Sequence, residues 1–447
     1  MRTRRLLLLS LCAVVASGCG APPPNVLLVS IDTLRPDRLG CYGEARTTPA
    51  IDGLAAGGVR FENAFSPSPW TLPAHAAMLS GRYPGSIRDD PNSLDLLREA
   101  TLLGEILSGD GFTSAAVTGG RFLGASFGLP ASFDHFEEVT SGGAERAARW
   151  LRDHAGERFF LFFHTYVVHA PYVDRRFLRG ADGGRLADIY AGGVLNDPHF
   201  AACCRGLDAT SEEREFLLRY YDGGVALADA DVARLLSALD ELALREDTLV
   251  IVTSDHGEEF WEHTGRGAYH GHTLYDELLR VPLVWSDPAI AEPRVVAHPV
   301  SLVDVVPTVL ARLGVEPPTG LDGVDLTPLL RGGEGPERAL LAEGTRNGPE
   351  RKSVRTSEGK LIVTPRPGVQ GGDGERYPVP VRAAVELYAP GDRAERDNRA
   401  EREPHQVEKL MPHLNDRIRR APESRSAGHD RLDAKTRAEL RALGYVE

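Results

Sequence analysis

The 447 residues carry 51 basic and 64 acidic side chains, a formal net charge of −13, with 42% hydrophobic residues, 26% charged residues and five cysteines. That balance excludes a disordered, collagenous or coiled-coil chain, a general nucleic-acid binder, which shows a basic excess, and a disulfide scaffold. The length allows about three domains, or one or two in a large α/β enzyme.

Arg2, Arg4 and Arg5 precede an apolar run from Leu6 to Ala16, closed by Ser17, Gly18 and Cys19. Crossing a bilayer takes about 20 apolar residues, so residues 1–18 read as a signal peptide. Ala-Ser-Gly before Cys19 resembles the lipobox of bacterial lipoproteins, with Ala16 where leucine is usual. Cys19 is therefore expected to be lipidated, with residues 19–24 as a short Pro-rich tether. The expected location is the periplasmic or outer face of a bacterium, with membrane contact through the lipid anchor alone. Loss of three arginines takes the net charge from −13 to −16. Cys41, Cys203 and Cys204 remain, and free thiols are expected, since a ring between adjacent cysteines is strained.

From Asn25 the chain turns continuously apolar up to Ile31 and then meets Asp32. Such runs fit strands buried on both faces, as in parallel sheets. They recur at Thr113–Thr118, Phe159–Phe163 and Leu249–Val252, and between the last two Val232, Leu235, Leu236 and Leu239 follow helical spacing. The pattern predicts a doubly wound, largely parallel α/β sheet flanked by helices over residues 25–335. Beyond it, short strand-like pieces at Leu340–Glu343, Lys360–Thr364 and Ala384–Tyr388 and helical stretches at 404–420 and 433–443 predict a smaller α+β subdomain with a helical tail over 336–447.

In an open parallel sheet, ligands bind beyond the carboxyl ends of the strands. Three apolar runs end in residues able to hold a metal or move a proton: the first in Asp32, the third before His164 and His169, the fourth before Ser254-Asp255-His256-Gly257. A lone Asp there is often a turn former or helix cap, whereas three polar strand ends from one sheet converge on a site. Asp32, Asp255 and His256 offer two carboxylates and one imidazole, a donor set for Zn²⁺ or Mn²⁺ that also admits Mg²⁺ or Ca²⁺. Thr71 precedes a predicted helix with Pro73 in its first turn and Gly81 at its end. A hydroxyl there is either a capping group or a nucleophile activated by metal and helix field.

Asn25–Asp32, Arg35-Pro36-Asp37, Gly40-Cys41-Tyr42-Gly43, Thr48–Asp52, Leu79-Ser80-Gly81-Arg82, Thr253–Glu258, His272–Glu277, Arg280-Val281-Pro282-Leu283, Asp304–Leu313, Pro318–Asp325 and Glu386-Leu387-Tyr388 together resemble the sulfatase family of the alkaline phosphatase superfamily. The resemblance implies an α/β core, one or two divalent metal ions and a covalent nucleophile. It also marks departures. The family's Cys-x-Pro-x-Arg, whose Cys or Ser becomes formylglycine, reads Thr71-Leu72-Pro73-Ala74-His75; the second of the paired acids after strand one is Thr33; the lysine before the Arg-Val-Pro motif is Gly271.

A threonine nucleophile with Asp, Asp and His ligands is similar instead to phosphodiesterases, nucleotide pyrophosphatases and phosphoglycerol or phosphoethanolamine transferases of the superfamily. Carried onto this chain, Asp32, Thr71, Asp255 and His256 would hold the metal and Thr71 would attack. His75, His169, His270 and His272 would lie on the substrate side, with His169 and His272 also in catalysis. The function expected is an exported hydrolase of sulfate or phosphate esters on a small-molecule, glycan or lipid substrate, with phosphodiester chemistry favoured by the nucleophile. The alternatives are a transferase, disfavoured because no membrane spans precede the catalytic region, and a non-catalytic ligand-binding relative, disfavoured because the minimal site is complete.

Overall fold

Apolar strands without alternation need cover on both faces, and the flanking helices supply it. The computed structural model describes residues 24–43, 48–191, 209–263, 267–290, 292–369, 381, 383–420 and 434–442. The expected signal peptide, Cys19, all but the last residue of the expected tether, Cys203 and Cys204 lie outside the described residues. In chain order the strands are β1 (Asn25–Ile31), β2 (Val59–Phe65), β3 (Thr113–Thr118), β4 (His135–Glu138), β5 (Phe159–Thr165), β6 (Thr248–Thr253), β7 (Glu259–Phe260), β8 (Ala268–Tyr269), β9 (Arg280–Ser286), β10 (Arg294–Val296), β11 (Val300–Ser301), β12 (Leu340–Glu343), β13 (Lys352–Thr356), β14 (Gly359–Val363) and β15 (Val385–Tyr388).

The central sheet runs β10-β2-β9-β6-β1-β5-β3-β4, with β11 also on β2. It is mixed but mostly parallel: β9 alone runs antiparallel to its neighbours, β2 and β6. Successive side chains leave opposite faces of a strand, and both faces are covered. Val26, Leu28, Phe160, Phe162, Leu249 and Ile251 pack on one side with Leu72 and Met78 of the helix Thr71–Ser80 and with Val305, Val306 and Val309 of the helix Val305–Leu313. Leu27, Val29, Leu161, Phe163, Val250 and Val252 pack on the other with the helices Pro49–Gly57, Gly143–Asp153 and Ser211–Glu241. Each fully buried side chain of this kind contributes about 2 kcal/mol relative to exposure.

The long helix opens on a capping box, with the Thr210 hydroxyl accepting from Glu213 N at 3.2 Å and Glu213 Oε2 accepting from Thr210 N at 3.0 Å. It contains Val232, Leu235, Leu236 and Leu239, all of them buried. The smaller unit is an antiparallel sheet, β12-β13-β14-β15. Val354, Leu361 and Leu387 of this sheet pack on Leu410 and Leu414 of the helical segments beyond it. Its other face reaches the large sheet's loops through Ala342, Ile362 and Tyr388 on Leu274, Tyr275 and Leu279. Among the described residues no helix is long and apolar enough to cross a membrane.

Candidate active site

β6, β1, β5 and β3 are consecutive and parallel, so whatever follows their carboxyl ends is brought to one edge. Asp32 follows β1 and Asp255 and His256 follow β6, all completely buried. One ligand atom from each lies within 4.8 Å of the others. Thr71 is the first residue of the helix Thr71–Ser80, one position inside the predicted start. Its Oγ1 sits 3.3 Å from Asp32 Oδ2 and 3.4 Å from His256 Nε2. The four residues expected to form the minimal site therefore meet, at the amino end of a helix whose dipole favours negative charge.

This geometry fits a divalent cation. Asp32 Oδ1 and Asp255 Oδ2 are buried carboxylate oxygens without a hydrogen-bond partner, a costly state for any anion unless an ion balances it. With the protein groups alone, burial pushes Asp32 up to about 6 and raises Asp255 as well, the second also through repulsion from Asp32. His256 Nδ1 lies 2.9 Å from the carbonyl of Gly257. That contact fixes the hydrogen on Nδ1 and leaves the Nε2 lone pair toward the carboxylates, the usual support for a metal-binding imidazole. Asp255 Oδ1 is held by the backbone N–H groups of His256 at 2.9 Å and Thr33 at 3.3 Å. Thr33 sits at φ 59°, a conformation uncommon for a threonine, and its carbonyl accepts from the Tyr221 hydroxyl at 2.6 Å. The strained turn thus aims both acids at one point.

His75 stands one helical turn beyond Thr71 and is fully buried. Its Nδ1 contacts the Thr71 carbonyl at 2.8 Å and its Nε2 the Ser30 hydroxyl at 2.9 Å, so both ring nitrogens are engaged beneath Thr71. Burial pushes it down to about 3, which makes it neutral. His169 is buried, with its ring 5.0 Å from that of His270. His270 stands 4.5 Å from the His256 ring and bonds Glu258 Oε1 at 3.0 Å. His272 contacts Glu259 Oε2 at 2.7 Å instead. Glu258 and Glu259 leave opposite faces of the chain, and Gly271, at φ 77°, breaks the alternation that would put His270 and His272 on one side.

Two further residues belong to this edge: His164, met in the sequence at a strand end, and Arg121, which sequence reasoning passed over. His164 lies inside β5 opposite Ser30 of β1, with Nε2 3.3 Å from Asp32 Oδ2; burial holds it neutral, at about 3. Arg121 follows β3, at φ 59°, with its guanidinium over the Tyr166 ring at 4.4 Å. Tyr166 in turn stacks edgewise on His164 at 4.5 Å and His169 at 5.5 Å. The turn needs Gly119, where a Cβ would come within 2.4 Å of the Tyr166 ring. The positive charge of Arg121 acts on Asp32, His164 and His169, and no carboxylate among the described residues pairs with it. The strand-end logic that picked out Asp32 applies equally to a cation three residues past Thr118.

The mostly parallel sheet with its flanking helices, together with the matches that follow, marks a hydrolytic enzyme of the alkaline phosphatase superfamily. The Sulfatase family model matches residues 24–136 and 143–315. Over 397 aligned residues the chain is 30% identical to arylsulfatase A of Homo sapiens, covering 76% of this chain and 74% of that one. It is 27% identical to N-acetylgalactosamine-6-sulfatase of Canis lupus familiaris, covering 75% and 71%. Its structure is similar to that of a phosphonate monoester hydrolase of Agrobacterium radiobacter, with a TM-score of 0.64, 21% identity and coverage of 89% and 95%. The chain belongs to the sulfatase family, and its activity is that of an ester-bond hydrolase.

Proposed function

We propose that this protein is an exported, metal-dependent hydrolase that cleaves singly charged anionic esters through a covalent Thr71 intermediate, phosphodiesters in the first place. The observation that carries the proposal is the Thr71 hydroxyl, 3.3 Å from Asp32 and 3.4 Å from His256 at a helix start. A divalent ion held by Asp32, Asp255 and His256 would make that hydroxyl easier to deprotonate and would offset charge on the transferred group. Thr71 Oγ1 attacks phosphorus, forming the Thr–O–P bond as the bond to the leaving alcohol breaks, and the alcohol takes up a proton. Water then attacks the same phosphorus and releases Thr71.

His169 and His270, whose rings lie 5.0 Å apart with His270 4.5 Å from the His256 ring, are the groups we assign to protonating the leaving alcohol. Arg121 is the guanidinium that meets a non-bridging oxygen. His75 acts as a positioning residue, locking the Thr71 carbonyl and hence the start of the helix. A neutral imidazole at residue 75 and a glycine at residue 271 leave less positive charge than the family pattern's arginine and lysine would. That suits one negative charge on the substrate rather than two.

Sulfate monoesters carry the same single charge, and the relatives' names support them as the second reading. An unmodified hydroxyl forms only an ester with the transferred group, which water must then open at sulfur or phosphorus; this favours the phosphodiester. A glycan or lipid ester outside the cytoplasm is the substrate class expected for a chain anchored at Cys19. Side-by-side turnover of an aryl phosphodiester, an aryl sulfate and an aryl phosphate monoester tests the reading. Diester turnover leading supports it, the sulfate leading replaces it with the second reading, and the monoester leading refutes both. Fatty-acid labelling that survives in Cys19→Ala would refute the anchor.

A further inference from the structure

The stretch 433–443, expected as the tail of the small unit, forms the helix Ala434–Ala442. It packs on the turn Arg121–Leu123 of the large unit, beside the catalytic edge. A helix of 9 residues does not hold in water by itself, so its docking contacts sustain it. Thr436 is 8% exposed, and its Oγ1 lies 2.8 Å from the Ser126 hydroxyl. Ser126 belongs to the turn Ala125–Phe127, which Gly124 alone separates from Arg121–Leu123. One residue earlier in the helix, Lys435 Nζ stands 3.7 Å from Glu138 Oε2, a surface pair that contributes little by itself. The place of that carboxylate matters more. Glu138 Oε1 fills the space that a Cβ would take on Gly124 and comes within 3.3 Å of the corresponding point on Gly120.

Arg121 thus lies between two glycines that Glu138 backs, and the residues just beyond them carry the tail helix. The turn has reason to need that support. Arg121 sits at φ 59°, a backbone conformation disfavoured for any residue with a side chain. Phe122, Leu123 and Phe127 anchor the turn to the core, and its outer side meets Glu138 and the tail helix. The same backbone sets the guanidinium over the Tyr166 ring at 4.4 Å.

We propose that the tail helix is a positioning element of the active site. Thr436 through Ser126, and Lys435 through Glu138, hold the turn that presents Arg121, a role that rests on the assignment of Arg121 to the substrate's non-bridging oxygen. The C-terminal tail thereby acts on substrate affinity through Arg121.

The test is Thr436→Glu in the full-length protein, since a carboxylate suits neither the buried position nor the neighbourhood of Glu138. KM on the best substrate of the panel should rise about three- to tenfold, the worth of one net hydrogen bond, with kcat and bound metal unchanged. Hydrogen exchange should quicken over 434–442 and over 121–127. In an Arg121→Ala background the same substitution should add nothing to KM. A further rise of equal size there overturns the proposal, because the tail then acts through another group. A tail that stays protected in Thr436→Glu overturns it as well, since Thr436 is then not what docks the helix. A KM raised by Arg121→Ala but not by Thr436→Glu refutes the role of the tail alone, whereas a KM unchanged by Arg121→Ala refutes the assignment of Arg121 and this role with it. If Thr436→Glu does not fold, Ser126→Ala removes the same hydrogen bond from the other side and is read by the same measurements.

Discussion

Replacing Thr71 by alanine separates a nucleophile from a helix-start residue. The side chain is 1% exposed, so the change deletes one buried methyl, worth about 0.8 kcal/mol, and one hydroxyl with two long contacts at 3.3 and 3.4 Å. Long contacts of this kind contribute at the low end of about 0.5–1.5 kcal/mol, for a total near ~1–2 kcal/mol, a shift of a few degrees in melting temperature. Asp32, Asp255 and His256 are untouched, so bound metal should stay. Turnover is another matter: removing a covalent nucleophile costs about 10³-fold or more in kcat, the remainder coming from binding and electrostatics. Thr71→Ser keeps the attacking oxygen and loses the methyl, so it should recover to within about tenfold of wild type. The assay is kcat and KM on the best substrate of the panel, with metal content and melting temperature measured on the same samples. Alanine turnover above a tenth of wild type, or a serine variant as inactive as alanine, would refute Thr71 as the nucleophile.

Three further outcomes follow from the geometry. Arg121→Ala should raise KM by about 10- to 100-fold while leaving melting temperature nearly unchanged, since its charge lacks a carboxylate partner among the described residues and is assigned to the substrate in the proposed mechanism; an unchanged KM argues against that assignment. Lys352→Met should destabilise the small sheet by about 3 kcal/mol, because Glu343 and Glu350, at 2.9 and 3.1 Å from Nζ, lose a buried partner and Glu343 keeps Arg417 and the Gly85 N–H; thermal melts check it. Finally, a carboxyl whose folded pKa stands above its ordinary 3.8, as Asp32 does at about 6, binds more protons folded than unfolded between those values. Chelator-stripped protein should therefore lose stability as pH rises from about 4 to 6, by up to about 3 kcal/mol, and Asp32→Asn should lack that slope; equal slopes in the two proteins would contradict the burial argument.

Thr113–Thr118 and Leu340–Glu343 are strands with the bounds their apolar runs predict, because both are flanked by turn-forming residues. β4, His135–Glu138, carries no such signature: it is an edge strand with no fully buried position, and partial exposure removes the hydrophobic pattern that sequence reasoning depends on. β2 is equally hard to see, since Arg60, Glu62 and Asn63 interrupt it, and those side chains are only partly covered. Asp32, Asp255 and His256 were legible for a physical reason, namely that parallel strands bring their ends to one edge. The separation of His270 from His272 was not, for it turns on the left-handed backbone of Gly271, which no spacing encodes.

The same distinction explains why the charge of the site was harder to read than its ligands. Residue 75 lies one helical turn from residue 71, so a side chain there ends beneath Thr71, against β1 and β5, where Ser30 and His164 already stand. That space is closed to water, and an imidazole in it is neutral at about 3. A cation at residue 75 would have to stay charged in the same enclosure, next to Asp255 Oδ2 at 3.5 Å from the present ring. Neutrality at 75 leaves that carboxylate free for a metal ion, and the guanidinium arrives instead from β3, through Arg121, on the side facing Tyr166 and His169. Moving positive charge from the helix beneath Thr71 to a loop beside it changes what the charge touches. On the proposed mechanism it would meet the substrate's outer oxygens rather than the helix of Thr71, a difference that sequence position alone could not reveal and that the KM of Arg121→Ala measures directly.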